Sequence, residues 1–507
     1  MTMEKRLAEL RLRLREVSDL ESAGALLSWD QSTYMPPGGV RARGRQMATL
    51  SRIAHEKLTD PALGRLLDEL RPYEESLPYD SDEASLIRVT RRDYLRAVRV
   101  PPSLQAEIWQ HGAESYQVWS AARPENDFAA VAPFLEKTIE LSLQMADCFP
   151  GYDHPADPLI DWSDEGMTAR AISDLFRELR AELVPLVQAI SEQEPPAHDF
   201  LCECYPPQEQ LEFGLGIIRD YGYDFKRGRQ DLTNHPFMIS FSPNDVRITT
   251  RVNQFDLKDA LFSTLHEAGH GMYEQGVARE FEATSLAGGA SSGVHESQSR
   301  LWENVVGRSR EMWTFYYPQL QAQFPDQLAA VSLDDFHRAI NKVEPSLIRT
   351  EADEVTYNLH VMIRFDLEMA LLEGRLAVKD LPDAWHARYE RDLGLRAPDN
   401  RDGVLQDIHW YSGLVGGSFQ GYTLGNIMTG AFYEAALQAI PDLDQQIAQA
   451  EFSPLLEWLR QNIHKYGRKF SPDELVKRVT GGPLTIEPYM RYLRNKYGQL
   501  YGLNLEN

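Results

Sequence analysis

The chain reads as a mainly helical, all-α protein with one small β-hairpin, and three observations predict this. Leucine and alanine recur at helical spacing along most of its 507 residues. Proline and glycine clusters cut that pattern into helix-length segments. Only Phe237 to Thr250 combines β-branched and aromatic residues around a turn, the composition of paired strands.

Residues 3–200 are expected to form successive helices, broken at Met35-Pro36-Pro37-Gly38-Gly39, Val100-Pro101-Pro102 and Pro150-Gly151. A proline inside a helix removes a donor and clashes with the preceding turn, so each cluster marks an end. Tyr152 to Glu165, rich in Asp and Pro, is expected to be a loop, and Glu194-Pro195-Pro196 ends another helix. Phe237–Phe241 and Val246–Thr250, joined by Pro243-Asn244-Asp245, predict the hairpin, whose edge would suit an extended peptide. Asp256 is placed to cap the helix that follows. Helices resume after residue 290, run to about residue 440 and return at the end. One of them is expected to be long and headed by Arg349. Ile348, Ala352, Val355, Leu359 and Met362 form its apolar stripe, beside a polar stripe of Arg349, Asp353, Thr356 and His360. Without repeats or long linkers, residues 1–507 are expected to be one folding unit.

Composition excludes several classes. The formal net charge of −24 opposes binding to a nucleic-acid backbone, so an anionic ligand needs a local cluster of arginines. No apolar run approaches the roughly 18 residues of a membrane span. The segment Met1 to Glu21 lacks the apolar centre of a signal peptide. Cys148, Cys202 and Cys204 make no disulfide framework, and Cys202-x-Cys204 is not a zinc pair, so a reducing cytoplasm is expected.

The chemistry centres on His266-Glu267-Ala268-Gly269-His270. Side chains four apart share one face of a helix, so His266 and His270 can offer two imidazole nitrogens to one cation. Glu267 lies about 100° round the helix, where it can accept a proton from an activated water. Leu261, Leu265, Ala268 and Met272 supply the buried stripe beside that face. Gly269 and Gly271 each cost about 0.5–1 kcal/mol in mid-helix, which implies that another backbone or a substrate comes close.

A catalytic zinc site takes three protein ligands. A third histidine in the His-x-x-Gly-x-x-His register is absent, because Tyr273 and Gly276 stand there. Carboxylates remain as candidates: Glu274, Glu280, Glu282, Glu296 and Glu303. Glu296 follows His270 by 26 residues (296 − 270), room for one loop and an antiparallel return. Among the histidines only His270 has a Glu three residues before it, so a di-iron bundle, which needs two such pairs, is excluded.

Several stretches together resemble the carboxypeptidase Taq family of metal-dependent thermostable carboxypeptidases. They are Trp29-Asp30 with Thr33-Tyr34-Met35-Pro36, His235-Pro236-Phe237, Asp245-Val246-Arg247-Ile248-Thr249, the His-Glu-x-Gly-His helix with Tyr273-Glu274-Gln275-Gly276, His295-Glu296-Ser297, Ile348-Arg349-Thr350-Glu351-Ala352-Asp353, and Gly403-Val404-Leu405-Gln406-Asp407-Ile408-His409-Trp410. The resemblance implies a neurolysin-like, angiotensin-converting-enzyme-like fold with a deep central groove. Residues 1–230 would form groove-wall and lid helices, and residues 231–507 the catalytic half.

The resemblance further implies a homodimer that removes C-terminal amino acids one at a time with broad specificity. It selects Glu296 as the third ligand of one divalent metal, zinc by ligand type, with cobalt or manganese as alternatives. Glu267 becomes the general base. By analogy with neurolysin-like folds, His409 and Tyr422 are the candidates for stabilising the oxyanion. The polar stripe becomes a groove wall, with Arg349 gripping the substrate carboxylate, Asp353 orienting it, and Arg247, Arg300 and Arg401 as possible helpers. Two alternatives remain at this level. One is an oligopeptidase on the same scaffold; the other is a helical binding protein that keeps the metal structurally.

Overall fold

Proline and side-chain caps set where the helices start and stop. In the computed structural model, which describes residues 2–504, the first helix, Met3–Thr33, ends just before the Pro36-Pro37 pair. Pro61–Ser76, Asp82–Arg99 and Phe128–Asp147 open on Asp60, Ser81 and Asp127, whose side chains accept from first-turn N–H groups. Pro102–Ala122 follows the predicted break at Val100-Pro101-Pro102. The expected loop at 152–165 instead contains a short helix, Asp157–Ser163. Its Pro158 lies in the first turn, where a missing N–H costs nothing.

The hairpin is part of a three-stranded sheet of order β1-β3-β2, comprising β1 (Gln230–Leu232), β2 (Met238–Ser242) and β3 (Asp245–Thr250). β2 and β3 pair antiparallel with Ile239 opposite Arg247, and β1 pairs parallel to β3. Three residues carry too little periodicity to reveal β1 in advance. The Ser22 hydroxyl donates to the Phe241 carbonyl, so the first helix meets the sheet at β2. From β3 the chain passes through one loop into the motif helix Leu257–Gly276.

The main hydrophobic core runs from Ala122 to Tyr497 and takes in the motif helix. A second core joins Leu7, Leu10 and Leu14 to Leu63, Leu67 and Ile87, and is closed by Val277, Phe281 and Leu286 from the body.

The long helix expected to begin at Arg349 begins instead at Tyr357 and ends at Leu372. Arg349–Glu351 is a single tight turn. Asp353 explains the shift: its carboxylate accepts from the backbone N–H groups of Glu344, Val355 and Thr356 and from the Thr356 hydroxyl. These local bonds compete with a continuing helix. Thr356 and His360 are fully buried, so that part of the polar stripe faces the core. Helix is also absent between Leu393 and His409, inside the 290–440 stretch expected to be made of helices. Among the described residues no helix is long and apolar enough to cross a membrane.

Candidate metal centre and active site

Asp256 caps the motif helix by accepting from the Lys258 N–H at 2.9 Å. Leu261, Leu265, Ala268 and Met272 are buried, which turns the opposite edge, with His266 and His270, towards the next helix, Ser292–Arg300. Glu296 arrives on that helix. Its Oε2 lies 3.8 Å from His266 Nε2 and 3.5 Å from His270 Nε2, and the three donor atoms lie within 4.8 Å of one another. A tetrahedral cation with ligands at about 2.0–2.1 Å sets neighbouring donors roughly 3.3–3.4 Å apart, so the two His–Glu separations are close to what one requires. His266 and His270 keep 18% and 16% of their side-chain surface exposed, so solvent reaches them.

The glycines make this approach possible. A Cβ on Gly269 would lie 2.6 Å from the Gln298 carbonyl oxygen and 2.7 Å from Ser299 Cα, so the two helices cross there backbone to backbone. A Cβ on Gly425, in the helix Gln420–Ala439, would lie 2.6 Å from Glu296 Cβ.

Each candidate ligand is held from behind. His266 Nδ1 is 2.8 Å from Glu303 Oε2, and Arg300 donates to both Glu296 Oε1 (2.7 Å) and Glu303 Oε2 (3.0 Å). Glu303 sits in a π-helical stretch, Leu301–Val306, which continues the Glu296 helix. His270 Nδ1 is 2.6 Å from His295 Nδ1, and His295 Nε2 is 3.0 Å from Glu274 Oε1. A His270 that keeps its Nε2 lone pair for a cation carries its proton on Nδ1. The relay is then directed: His270 donates to His295, and His295 donates to Glu274. Glu274 and Glu303, two candidates for third ligand, thus stand one shell out. Arg300 is committed through Nε and Nη1 to Glu296 and Glu303.

Electrostatics follow this layout. Burial alone would raise the Glu296 carboxyl, but Arg300, His266 and His270 outweigh it and hold the group well below the usual carboxylate range. Burial lowers His270 to about 4. Glu267 is 7% exposed and lacks an arginine partner, so burial pushes its pKa up to about 7.

A second cluster adjoins the first. The Tyr422 hydroxyl is 3.4 Å from His409 Nε2, and His409 Nδ1 is 2.5 Å from Asp407 Oδ1. Asp407 Oδ2 accepts from Arg349 Nε at 2.6 Å, and Arg349 Nη1 donates to the Tyr357 hydroxyl at 2.9 Å. The Tyr357 ring in turn packs 4.7 Å from the Arg300 guanidinium, tying the clusters together. Burial acts to raise Asp407, yet Arg364, His409 and Arg349 keep it far below its ordinary value. The partner of Arg349 is therefore Asp407; Asp353 is occupied by the turn before Tyr357. Arg247 forms two hydrogen bonds to Asp245 and lies over the Trp29 ring, and Arg401 pairs with Asp399 and Asp402 in an outer loop.

The sequence model of the carboxypeptidase Taq (M32) metallopeptidase family matches residues 9–497. The chain belongs to this family. Thermostable carboxypeptidase 1 of Thermus thermophilus is 42% identical over 498 residues, covering 96% of this chain and 97% of that protein. Carboxypeptidase 1 of Bacillus subtilis is 34% identical over 501 residues, 99% of each chain. The crystal structure of the M32 carboxypeptidase from Deinococcus radiodurans R1 matches with a TM-score of 0.95 and 51% identity, covering 98% of this chain and 100% of that one. The protein is a metallocarboxypeptidase, a peptide hydrolase.

Within this carboxypeptidase Taq chain, four groups of the site went unassigned from sequence: His295, Tyr357, Arg364 and Asp407. Two had a local signal. His295 adjoins Glu296, and Asp407 stands two residues before His409. Arg364 had none, because its partners lie in distant segments, and Tyr357 meets Arg349, eight residues earlier, only across the turn held by Asp353.

Proposed function

We propose that His266, His270 and Glu296 hold one divalent cation and that Glu267 is the general base for hydrolysis of the C-terminal peptide bond. The observation that carries this is the convergence of two Nε2 atoms and one carboxylate oxygen near the buried carboxyl of Glu267, which has no hydrogen-bond partner among the described residues. Zinc suits the donors, with cobalt and manganese as alternatives. A divalent cation supplies Lewis acidity and lowers the pKa of water from about 15.7 to about 7. Glu267, near 7 through burial, can take a proton from the attacking water and return it to the leaving amine.

Tyr422 donates to the oxyanion, and His409 joins it with both ring nitrogens protonated, Nδ1–H to Asp407 and Nε2–H to the oxyanion. Burial holds the tyrosine above its ordinary pKa, so it keeps its proton at neutral pH. The Asp407 contact at Nδ1 orients the imidazole. Arg349 grips the terminal carboxylate, since its Nη2 has no hydrogen-bond partner among the described residues and its guanidinium lies 5.4 Å from the Tyr422 ring. Asp407, rather than Asp353, orients it. Arg247 and Arg401 receive no part. A carboxylate held beside the base selects the last peptide bond, and so predicts release one residue at a time. The family resemblance supports a homodimer, and three free cysteines, two of them exposed, support a reducing, cytoplasmic location.

The test is amino-acid release from a peptide with a free C-terminus and from its amidated twin, with metal analysis of the same preparation. An exopeptidase loses nearly all activity on the amide. Equal rates on both would turn the reading into an oligopeptidase.

A further inference from the structure

The Arg364 guanidinium is buried without hydrogen bonds. Its side chain is 1% exposed, and Nε, Nη1 and Nη2 all lack a partner among the described residues. It projects from the helix Tyr357–Leu372 and lies 3.8 Å from the Trp410 ring centroid, 4.4 Å from Phe419 and 5.6 Å from Trp385. Aromatic faces attract a cation but satisfy none of its N–H groups. Burying a guanidinium on those terms is costly, and an arginine kept for architecture normally recovers the cost through a bidentate pair.

What Arg364 does face is charge. Nη1 stands 3.7 Å from Asp407 Oδ2, the oxygen that accepts from Arg349 Nε at 2.6 Å. The other oxygen of Asp407 contacts His409 at 2.5 Å. Glu368, also buried nearby, accepts from Trp410 Nε1 and the Gly416 N–H, and burial pushes its pKa up. The Asp407 carboxylate therefore stands between two guanidinium groups, and Glu368 also acts on Arg364. Without Arg364, Arg349 and Asp407 would cancel each other, and an incoming carboxylate would meet a neutral pair.

We propose that Arg364 is a positioning residue for C-terminal recognition: as standing counter-ion of Asp407, it leaves the charge of Arg349 to the substrate carboxylate. The same contact steadies Asp407 against His409. This rests on the reading of Arg349 given above, and the experiment separates the two.

Kinetics of Arg364→Met, Arg364→Lys and Arg349→Gln are compared on one free-acid peptide, with 3-phenylpropanoate and 3-phenylpropanamide as inhibitors. Arg364→Met is expected to raise KM and the Ki of 3-phenylpropanoate by at least about tenfold, with a smaller change in kcat, and to leave the Ki of the amide unchanged. Arg364→Lys, which keeps the charge, is expected to bring both constants back to within about threefold of the parent. Unchanged constants in Arg364→Met overturn the proposal. So does a lysine variant as impaired as the methionine one, since that pattern marks packing. Should Arg364→Met not fold, a folded Arg364→Lys with a tenfold raised Ki overturns it, and a near-parental Ki supports it. If Arg349→Gln also leaves KM unchanged, the assignment of Arg349 itself has failed.

Discussion

At the scale of single residues, Glu267 and its neighbours divide the labour by environment. Glu296 and Glu303 are pinned by Arg300 and the histidines, whereas Glu267 is buried with no hydrogen-bonding partner among the described residues. Glu267→Gln is expected to cut kcat by about 10²–10⁴ while metal content stays at one per chain, read by steady-state kinetics and metal analysis. Undiminished turnover in this variant would falsify the general-base assignment. His295 stands outside the candidate donor set, yet its Nδ1 contact at 2.6 Å orients the His270 ring. His295→Ala is expected to weaken metal affinity about 10–100-fold, measured by competition with a chelator. Sequence alone could name His266, Glu267 and His270, because one helical turn fixes their relation. It could not choose among five carboxylates for the third ligand, since that choice depends on where a second helix crosses.

At the scale of elements, small residues decide how closely helices approach. Gly269 and Gly425 let the Glu296 helix pass between the motif helix and Gln420–Ala439. In Gly269→Ala, the better helix propensity of alanine, about 0.5–1 kcal/mol, is outweighed by an overpacking cost of about 1–3 kcal/mol. The variant is expected to unfold at lower denaturant and to bind metal more weakly, as the crossing opens. A more stable variant would show that the contact yields. Sequence patterning succeeded for the motif helix and for its Asp256 cap, where local signals agree. It failed from Ile348 to Met362, where a 3.6-residue period ran on through a turn held by Asp353. Periodicity reports burial, and a buried turn can keep the same spacing by accident.

At the scale of the whole molecule, the donor set is held together by protein contacts, so the fold should persist without metal. Chelation is expected to abolish activity and lower the apparent Tm while leaving the helical circular dichroism intact. At metal concentrations of 1,000 Kd the lost stabilisation is about 4 kcal/mol. Loss of the helical signal on chelation would make the metal structural instead. The net charge of −24 acts over distances set by salt, about 10 Å at 0.1 M. Raising ionic strength is therefore expected to increase kcat/KM for acidic peptides and decrease it for basic ones. A salt response independent of peptide charge would remove long-range steering from the account.

The sequence by itself determined the helical class, the helical turn that carries His266, Glu267 and His270 and, through family resemblance, the reaction class. These rest on neighbours along the chain, whose geometry one helical turn dictates. Only the tertiary structure decided that Arg300, Glu303, His295 and Glu274 brace His266, His270 and Glu296, and that Asp407 stands between Arg349, Arg364 and His409. Those contacts join segments far apart in sequence, and their strength comes from burial, which no local pattern records.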